Sequence, residues 1–509
     1  MEVNLNLINR FIVPQQPFIT EEEAFRNEKA RVNKRLFAGE QTEVYLEDYL
    51  HRIELGGSKL QNANGFISFQ SDTAKSFFKA ILQGYNLTSP IVETYAGLLF
   101  GQGFSITSKD TKAQEWLNGK REGKESFEKY LCKKLYASAI EAGLTGNGVL
   151  EVYAEVEDNK PVAKVAVIPS ERWYPIVSDR DNSEIVANAI VHSYKIEDSI
   201  YVNRIVIYAK GYNLYFAVET ENGKTKTLLD WKKYENKIGE LPEEIEEIEE
   251  GMMIYIEETG LNYSTCQVYS SKTGRVDSPF GRSIISESFK SQERELCIRK
   301  TQNGRVLDKN SDPPMTVPES VVEKAKTGEP YVNISGKTIV INKEYDAEPK
   351  YVEWNGNLAE SREDIKDTID AIMKETRLAG ELLGSSAGTG IVTGEALFRK
   401  MTATLSELGT KKMLVELAVE NIIKTCWQIE NPDSEMIDFV IKFAEGLPTS
   451  EAEKIDNILK KNGNEPVISM QDAIKEAYPG ISDEEVEDTI AKIQEQRGLG
   501  NSLTNSEVI

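Results

Sequence analysis

Histidine is almost missing from this chain of 509 residues, which carries only His51 and His192, each alone among polar or strand-forming neighbours. That scarcity speaks against a histidine-based nucleophile triad and against an HExxH zinc site, both of which need imidazoles at fixed spacing. Cysteine is scarce too. Cys132, Cys266, Cys297 and Cys426 lie far apart and form no CxxC pair, which argues against a zinc ribbon or a disulfide framework and for a reducing compartment. There is no GxxxxGK[ST] loop for ATP. No run approaches the roughly 20 apolar residues of a membrane span. The start carries Glu2 rather than a basic-then-apolar leader, so a soluble protein made in the cytoplasm and free of membrane is expected. Positive charge is in deficit: 60 Lys and Arg stand against 83 Asp and Glu, for a net charge of -23. Tight, sequence-independent DNA binding needs cations that displace counterions from phosphate, so this balance argues against it while leaving room for DNA that passes without sticking.

What the chain does have is size: 57.2 kDa suffices for a sizeable core, spread over roughly two to four structural units. Its most organised stretch runs from Asn357 to Glu430. Leu358, Ile365, Ile369, Ile372 and Met373 recur at helical spacing, with Asn357 and Glu360 placed as a capping pair, and predict a helix to about Leu383. The pattern resumes at Glu395 through Leu397, Met401, Leu405 and Leu408, then Val415, Val419, Ile422 and Cys426, stopping before Asn431-Pro432. This second helix should be roughly 50 Å long. Between the two lies Gly384-Ser385-Ser386-Ala387-Gly388-Thr389-Gly390-Ile391-Val392-Thr393-Gly394, where glycines lift the steric bar to left-handed angles and predict a mobile loop.

Upstream, Glu21 to Asp48 reads as charged and weakly helical, and Gly56 to Gln70 as a polar loop with some strand character. Helices are expected at Asp72 to Gln83, Pro90 to Phe100 and Phe127 to Ala142. Gly101-Gln102-Gly103 follows a helix and precedes a strand, the reverse of a dinucleotide fingerprint, so it is not read as a phosphate loop. Asn147-Gly148 reads as a turn before a strand at Val149 to Val156. Strands follow at Ala163 to Ile168, Ile185 to Tyr194, Tyr201 to Ala209, Leu214 to Glu219 and Thr225 to Leu229, with Asn222-Gly223 at a hairpin tip. They predict one mostly antiparallel sheet, against which Trp173-Tyr174-Pro175-Ile176 should pack.

The acidic run Glu243 to Glu250 is expected to be solvated, because metals need carboxylates converging from defined positions. Ser278-Pro279 should open a helix reaching about Gln302, with Lys290, Arg294, Arg299 and Lys300 on its polar side. Proline breaks at Asp312-Pro313-Pro314 and Pro318, with short strands at Tyr331 to Ile334 and Thr338 to Asn342, mark Gly304 to Gly356 as a small β-containing module. A strand is expected at Met436 to Phe443, a boundary at Gly446-Leu447-Pro448, and short helices at Ser450 to Lys460, Met470 to Ala477 and Asp483 to Gln496. Gly498 to Ile509 should be disordered.

Scattered motifs along this order resemble the portal proteins of tailed bacteriophages, in particular the class of long-tailed phages. They are Thr94-Tyr95-Ala96-Gly97-Leu98-Leu99-Phe100-Gly101-Gln102-Gly103-Phe104, Gly146-Asn147-Gly148, Trp173-Tyr174-Pro175-Ile176, Ser278-Pro279-Phe280-Gly281-Arg282-Ser283, Thr393-Gly394-Glu395-Ala396-Leu397, Gly446-Leu447-Pro448 and Val467-Ile468-Ser469. Each is degenerate; their order and spacing carry the likeness. The resemblance implies an α+β portal fold with long stem and wing helices, an antiparallel β wing sheet, a small β-containing clip and a helical C-terminal crown. It divides the chain into 1–277 as N-terminal segment and wing, 278–304 as a stem helix, 305–356 as the clip, and 357–383 as the other stem helix. Residues 384–394 become the tunnel loop, 395–447 the long wing helix and strand, and 448–509 the crown and tail.

By the same resemblance the protein is a homo-oligomeric ring, usually of twelve subunits, at one capsid vertex of the virion, assembled in the bacterial host cytoplasm. Double-stranded DNA passes through it during packaging and ejection. Its expected partners are the terminase large subunit, major capsid and scaffolding proteins, and a head–tail connector (adaptor) protein; no cofactor, metal or catalytic residue is implied. Gly384 to Gly394 would face the channel. The loop itself has no Lys or Arg, so Lys290, Arg294, Arg399 and Lys400 are the candidate DNA-facing basic residues. Two other readings compete: a metal-dependent nucleic-acid enzyme, although no acidic cluster sits at a strand end with a basic partner, and a monomeric capsid-associated adaptor.

Overall fold

The computed structural model describes residues 4–55, 60–62, 65–67, 75–76, 79, 82–101, 104–121, 125–157, 160–242, 245–311, 315–318, 323–324, 330–331, 338–341, 350–351, 358–383, 394–443, 469–477 and 486–493. Two compact units divide the chain, residues 1–444 and 445–509. The fold is α+β.

Thr20 starts helix α1 (Glu21–Phe37). Its hydroxyl accepts from the Glu23 amide while the Glu23 carboxylate accepts from the Thr20 amide, so two donors that a helix start leaves open are satisfied. With α2 (Gln41–Leu55) it replaces the weak helicity expected there, because Ala30, Asn33 and Leu36 are buried and packing outweighs a charged composition. Helix α3 (Thr88–Ala96) widens into a π turn at Gly97–Gly101 before strand β1 (Phe104–Ser108). Helix α4 (Thr111–Asn118) is capped by Asp110, and α5 (Phe127–Thr145) by Ser126.

Helix α5 ends on Gly146, at φ 104°, where a Cβ would lie 2.3 Å from the carbonyl oxygen of Gly281. Gly146 thus makes the reversal expected of Asn147-Gly148, and those two residues instead open strand β2 (Asn147–Glu157). Strands β3 (Lys160–Ile168), β4 (Trp173–Val177), β5 (Ile185–Glu197), β6 (Ile200–Tyr208), β7 (Tyr212–Glu221), β8 (Lys224–Leu229), β9 (Glu246–Glu247), β10 (Tyr255–Glu258) and β11 (Cys266–Ser270) follow. Asn222 and Gly223, both at positive φ, turn β7 into β8 as expected.

The expected single sheet is two. One has β2 between β3 and β11; the other runs β9-β10-β7-β6-β5-β4, with β8 also on β7. All these pairs are antiparallel. Residues of both sheets, among them Val149, Cys266, Trp173 and Val206, share one core. The segment Trp173–Ile176 is itself the edge strand β4, where Pro175 sits opposite Asn188 and its missing N–H can be tolerated. The acidic run is not all loop: Glu246 and Glu247 form β9, and the half-buried Ile245 and Ile248 anchor it to two cores, while Glu243 and Glu244 lie outside the described residues.

Helix α6 (Glu287–Ser311) begins later and ends later than expected. Ser278 makes a local turn, accepting from the Phe280 amide, and the cap is Ser286, whose hydroxyl accepts from the Phe289 amide at 2.9 Å. Beyond it β12 (Met315–Pro318) pairs parallel with β13 (Thr338–Ile341) and antiparallel with β14 (Lys350–Tyr351), and Glu323–Lys324 pairs with Pro330–Tyr331. The expected Asp312-Pro313-Pro314 break and the Asn357 cap lie outside the described residues. Helix α7 (Leu358–Thr376) stops well short of Leu383, with a 3-10 turn over Gly380–Leu383.

Helix α8 (Gly394–Glu430) has 37 residues, about 55 Å of rise. Its buried side carries Val419, Ile422, Cys426 and Trp427 into the largest core, with Ile91, Phe127, Leu135, Phe289 and Ile372. Strand β15 (Phe439–Phe443) pairs antiparallel with β1. In the second unit, α9 (Met470–Ala477) falls where expected, a further helix spans 486–493, and Ala473, Ile474 and Val486 are buried. The helix expected at Ser450 to Lys460 and the tail from Gly498 lie outside the described residues. Among the described residues no helix is long and apolar enough to cross a membrane.

Candidate functional site

Side chains from the end of α7 and from α8 around Thr404 form a polar cluster in the first unit. Helix α7 ends because Arg377 takes φ 58°. Its amide donates to the Lys374 carbonyl at 3.2 Å and the Leu378 amide to the Met373 carbonyl at 3.1 Å, while Leu378 and Met373 are both buried. This is a Schellman ending, normally built on glycine because a Cβ strains the left-handed conformation. The sequence has no glycine there, so the stop was invisible to it.

The last turn is tied down from three sides. The Tyr95 hydroxyl donates to the Thr376 carbonyl at 2.6 Å. Thr404, on α8, donates to the Arg377 carbonyl and accepts from the Ala379 amide, both at 2.9 Å. Glu407, one turn further along α8, faces Arg377 at 3.4 Å and the ammonium groups of Lys272 and Lys411 at 3.9 Å each. Lys411 donates to the Ser271 carbonyl at 2.6 Å and to its hydroxyl at 3.1 Å, tying α8 to β11's end. Burial pushes the Lys411 ammonium down to about 8 in spite of Glu407. Burial lowers Lys272 as well.

Helices α6 and α7 are laced antiparallel. Glu375 accepts from Ser286, from Ser288 at 3.0 Å and from Gln292 at 3.0 Å; Arg299 pairs with Asp364, and Ser361 donates to Asn303 at 2.8 Å. On the other side of α6, the buried Glu293 carboxylate accepts from the Leu87 amide at 2.9 Å, from the Thr88 amide and hydroxyl at 3.1 Å each, and from Tyr45 at 3.0 Å. It thereby caps α3. Burial raises its pKa, and the hydrogen bonds oppose that rise.

The sequence-derived site residues distribute as follows. Gly384, Ser385, Ser386, Ala387, Gly388, Thr389, Gly390 and Thr393 lie outside the described residues, and Gly394 is the first residue of α8. Lys290 pairs with Glu287 at 2.9 Å, Arg294 with Asp48 at 2.9 Å, and Lys400 with Glu381 at 2.9 Å, next to the exposed Arg399. Lys400 holds the Glu381 carboxyl below its ordinary range, and this ion pair joins the 3-10 turn after α7 to α8. Thr404, Glu407, Lys411 and Glu293 were not singled out from sequence. The signal was present: Glu293 falls between Phe289 and Leu296, and Lys411 between Leu408 and Val415, so each charge occupies a position of its helix's apolar stripe. Among the described residues no group of three His, Cys, Asp or Glu side chains could hold a metal ion.

Residues 83–498 match the family model described as phage portal protein, SPP1 Gp6-like, and the chain belongs to that family. All the motifs from Thr94 to Ser469 that carried the resemblance lie within the matched span. No curated protein matches the chain significantly. Among solved structures it is similar to a chain of the "Neck of native GTA particle computed with C12 symmetry", over 77% of this chain and 88% of that one, at 11% identity and a TM-score of 0.38.

Proposed function

We propose that the chain forms a closed ring of about twelve copies at one capsid vertex, through which double-stranded DNA moves during packaging and ejection. The observation that carries this reading is the family match over 83–498. In this reading α6 and α7 are the stem helices, laced together by Glu375, Arg299 and Ser361. The module between them is the clip, which docks the terminase large subunit and later the head–tail connector protein, while major capsid and scaffolding proteins surround the ring. Helix α8 and the sheets are the wing, 448–509 the crown, and Gly384 to Gly394 the loop facing the channel.

Ten residues held at both ends can project at most roughly 17 Å, half their extended reach. The clamp at Arg377, Thr404 and Glu407 would let that loop move while its base stays fixed. The candidate DNA-facing cations Lys290, Arg294 and Lys400 each share their charge with a carboxylate of the same chain. That suits a conduit, since bound counterions released by phosphate are what make DNA stick. Assembly in the host cytoplasm follows from the same reading.

The test is light scattering on purified protein at micromolar concentration, class averages viewed down the particle axis, and nuclease-protected DNA in assembled procapsids. Rings with an axial channel that support packaging are expected. A protein that stays near 57.2 kDa sinks the ring reading, and magnesium-dependent DNA cleavage by the pure protein would favour the enzyme instead.

A further inference from the structure

Helix α8 turns part of its polarity inside out. Glu407 and Lys411 are 8% and 4% exposed, whereas Met413 and Leu417 are each 66% exposed. From Ala403 to Leu417, about 21 Å of helix, the exposed positions carry one charge, Glu416. A solvent-facing helix normally does the opposite, with charge outward and apolar groups inward. Scattered apolar residues on a surface are ordinary, but Met413 and Leu417 are one turn apart on the same face, with the exposed Glu416 and the half-buried Lys412 beside them and Glu420 paired with Lys424 at 2.8 Å. The face is apolar and acidic.

A second surface of the same unit has the complementary character. A groove of about 680 Å³ lies between α1, residues 271–290, the end of α7 and the Glu407–Thr410 turn in the middle of α8. Six basic and four acidic side chains line it, in a chain whose net charge is -23. On its rim Phe25 is 59% exposed beneath the Lys29 ammonium, 4.2 Å above the ring, and Arg282 is exposed. Val276 stands 92% exposed on the loop that Ser278 joins to Glu22 of α1 at 3.1 Å. This rim is apolar and basic.

We propose that the Met413 and Leu417 face of α8 on one copy of the chain docks on the Phe25, Lys29 and Arg282 rim of the next copy. Glu416 then meets Arg282, since Glu420 is already paired with Lys424 at 2.8 Å and Lys29 with Glu287 at 3.2 Å. The proposal rests on the ring reading and names the contact that builds the ring. Two copies joined through the same α8 face would set Glu416 against Glu416, a like-charge clash that disfavours the self-matched arrangement. Joining two different patches makes a head-to-tail contact, which repeats around a rotation axis and closes into a ring. The buried Glu407 and Lys411 have a place in this arrangement: they are held inside by Arg377, Lys272 and Ser271, which keeps their charges off the outer face.

The test uses the full chain with two variants, Met413→Asp with Leu417→Asp, and Phe25→Asp with Arg282→Glu. Both change exposed positions, and circular dichroism with a thermal melt verifies folding. Size-exclusion chromatography with light scattering at micromolar concentration reads assembly. Wild type should form rings and each variant should be monomeric, a loss of at least tenfold in association. An equimolar mixture of the two retains one competent contact, between the α8 face of one variant and the rim of the other, and should stop at a dimer. Glu416→Lys should weaken assembly, and adding Arg282→Glu should restore it. Rings that form equally well in both variants overturn this contact and leave the ring reading standing. A mixture that stays monomeric overturns the head-to-tail pairing. Wild-type protein that never assembles overturns the ring reading and this contact with it.

Discussion

Thr404 and Arg377 lock the end of one long helix to the side of another: the threonine hydroxyl donates to the Arg377 carbonyl at 2.9 Å and accepts from the Ala379 amide at 2.9 Å. Replacing Thr404 with valine keeps the shape and removes both bonds, leaving a part-buried carbonyl and amide without that partner. The expected cost is about 1–3 kcal/mol. Thr404→Ser keeps the hydroxyl and should cost less. Urea unfolding of the two variants checks this, and equal midpoints would show that the latch contributes nothing.

Arg377 holds a left-handed conformation without being glycine. Its ion pair with Glu407 is 3.4 Å long and its side chain 61% exposed, so little stability rests on the charge. Arg377→Gly should therefore be more stable than Arg377→Ala by about 1 kcal/mol, the strain that a Cβ causes there. Matched denaturant curves give the difference. An alanine variant at least as stable as the glycine one would show that the left-handed turn carries no strain.

Lys411 links the fold to pH. Its ordinary value of 10.5 is depressed to about 8 by burial, so folding penalises the ammonium relative to the unfolded chain. For a depressed pKa the stabilising contribution is complete above the unfolded value and is lost as pH falls through the folded one. Unfolding free energy should accordingly rise between pH 8 and pH 10. Lys411→Met should flatten that rise, leaving the part due to Lys272, which burial shifts the same way. An unchanged slope from pH 7 to pH 10 in the variant would mean that burial does not depress Lys411 in the fold.

Glu293 serves four donors on two neighbouring elements from a position with no solvent exposure. Glu293→Leu strands those donors and should cost about 3 kcal/mol or more. Glu293→Gln retains an acceptor oxygen for Leu87 and Thr88 and should cost less. Thermal melts of both variants test the order, which is reversed if the site prefers an apolar side chain.

Gly388 and Gly390 lie in the segment between α7 and α8. Proline at both positions fixes φ near -65° and removes freedom worth on the order of 1 to 2 kcal/mol per residue. Rings should still form, while DNase-protected DNA in procapsids should fall. Normal packaging with normal rings would defeat the moving-loop idea, and failed assembly would make the segment structural.

Local pattern was enough for much of this molecule. The apolar repeat through Val415, Val419, Ile422 and Cys426 located α8, Asn222-Gly223 located a hairpin, and the order of weak motifs named the family that the comparison then showed. Each of these signals is written within a few residues of chain, or in the spacing between such stretches, and so survives without the fold. Helix ends were less legible. Ser278-Pro279 has the better local start signal, yet Ser286 is the cap, because residues 278–286 are occupied in turns against Asn147, Gly143 and Glu22.

Sequence by itself therefore determined which segments become long helices or paired strands, the acidic balance, and the family. Tertiary structure alone decided where α7 stops, that the middle forms two sheets rather than one, and that Glu293 and Lys411 turn inward while Met413 and Leu417 turn out. The reason is range. Tyr95 reaches Thr376 across 281 residues, Glu293 reaches Leu87 across 206, and Lys411 reaches Ser271 across 140. A charge on an apolar stripe is a violation until the distant partner that satisfies it has been brought into contact, and only the folded chain brings it there.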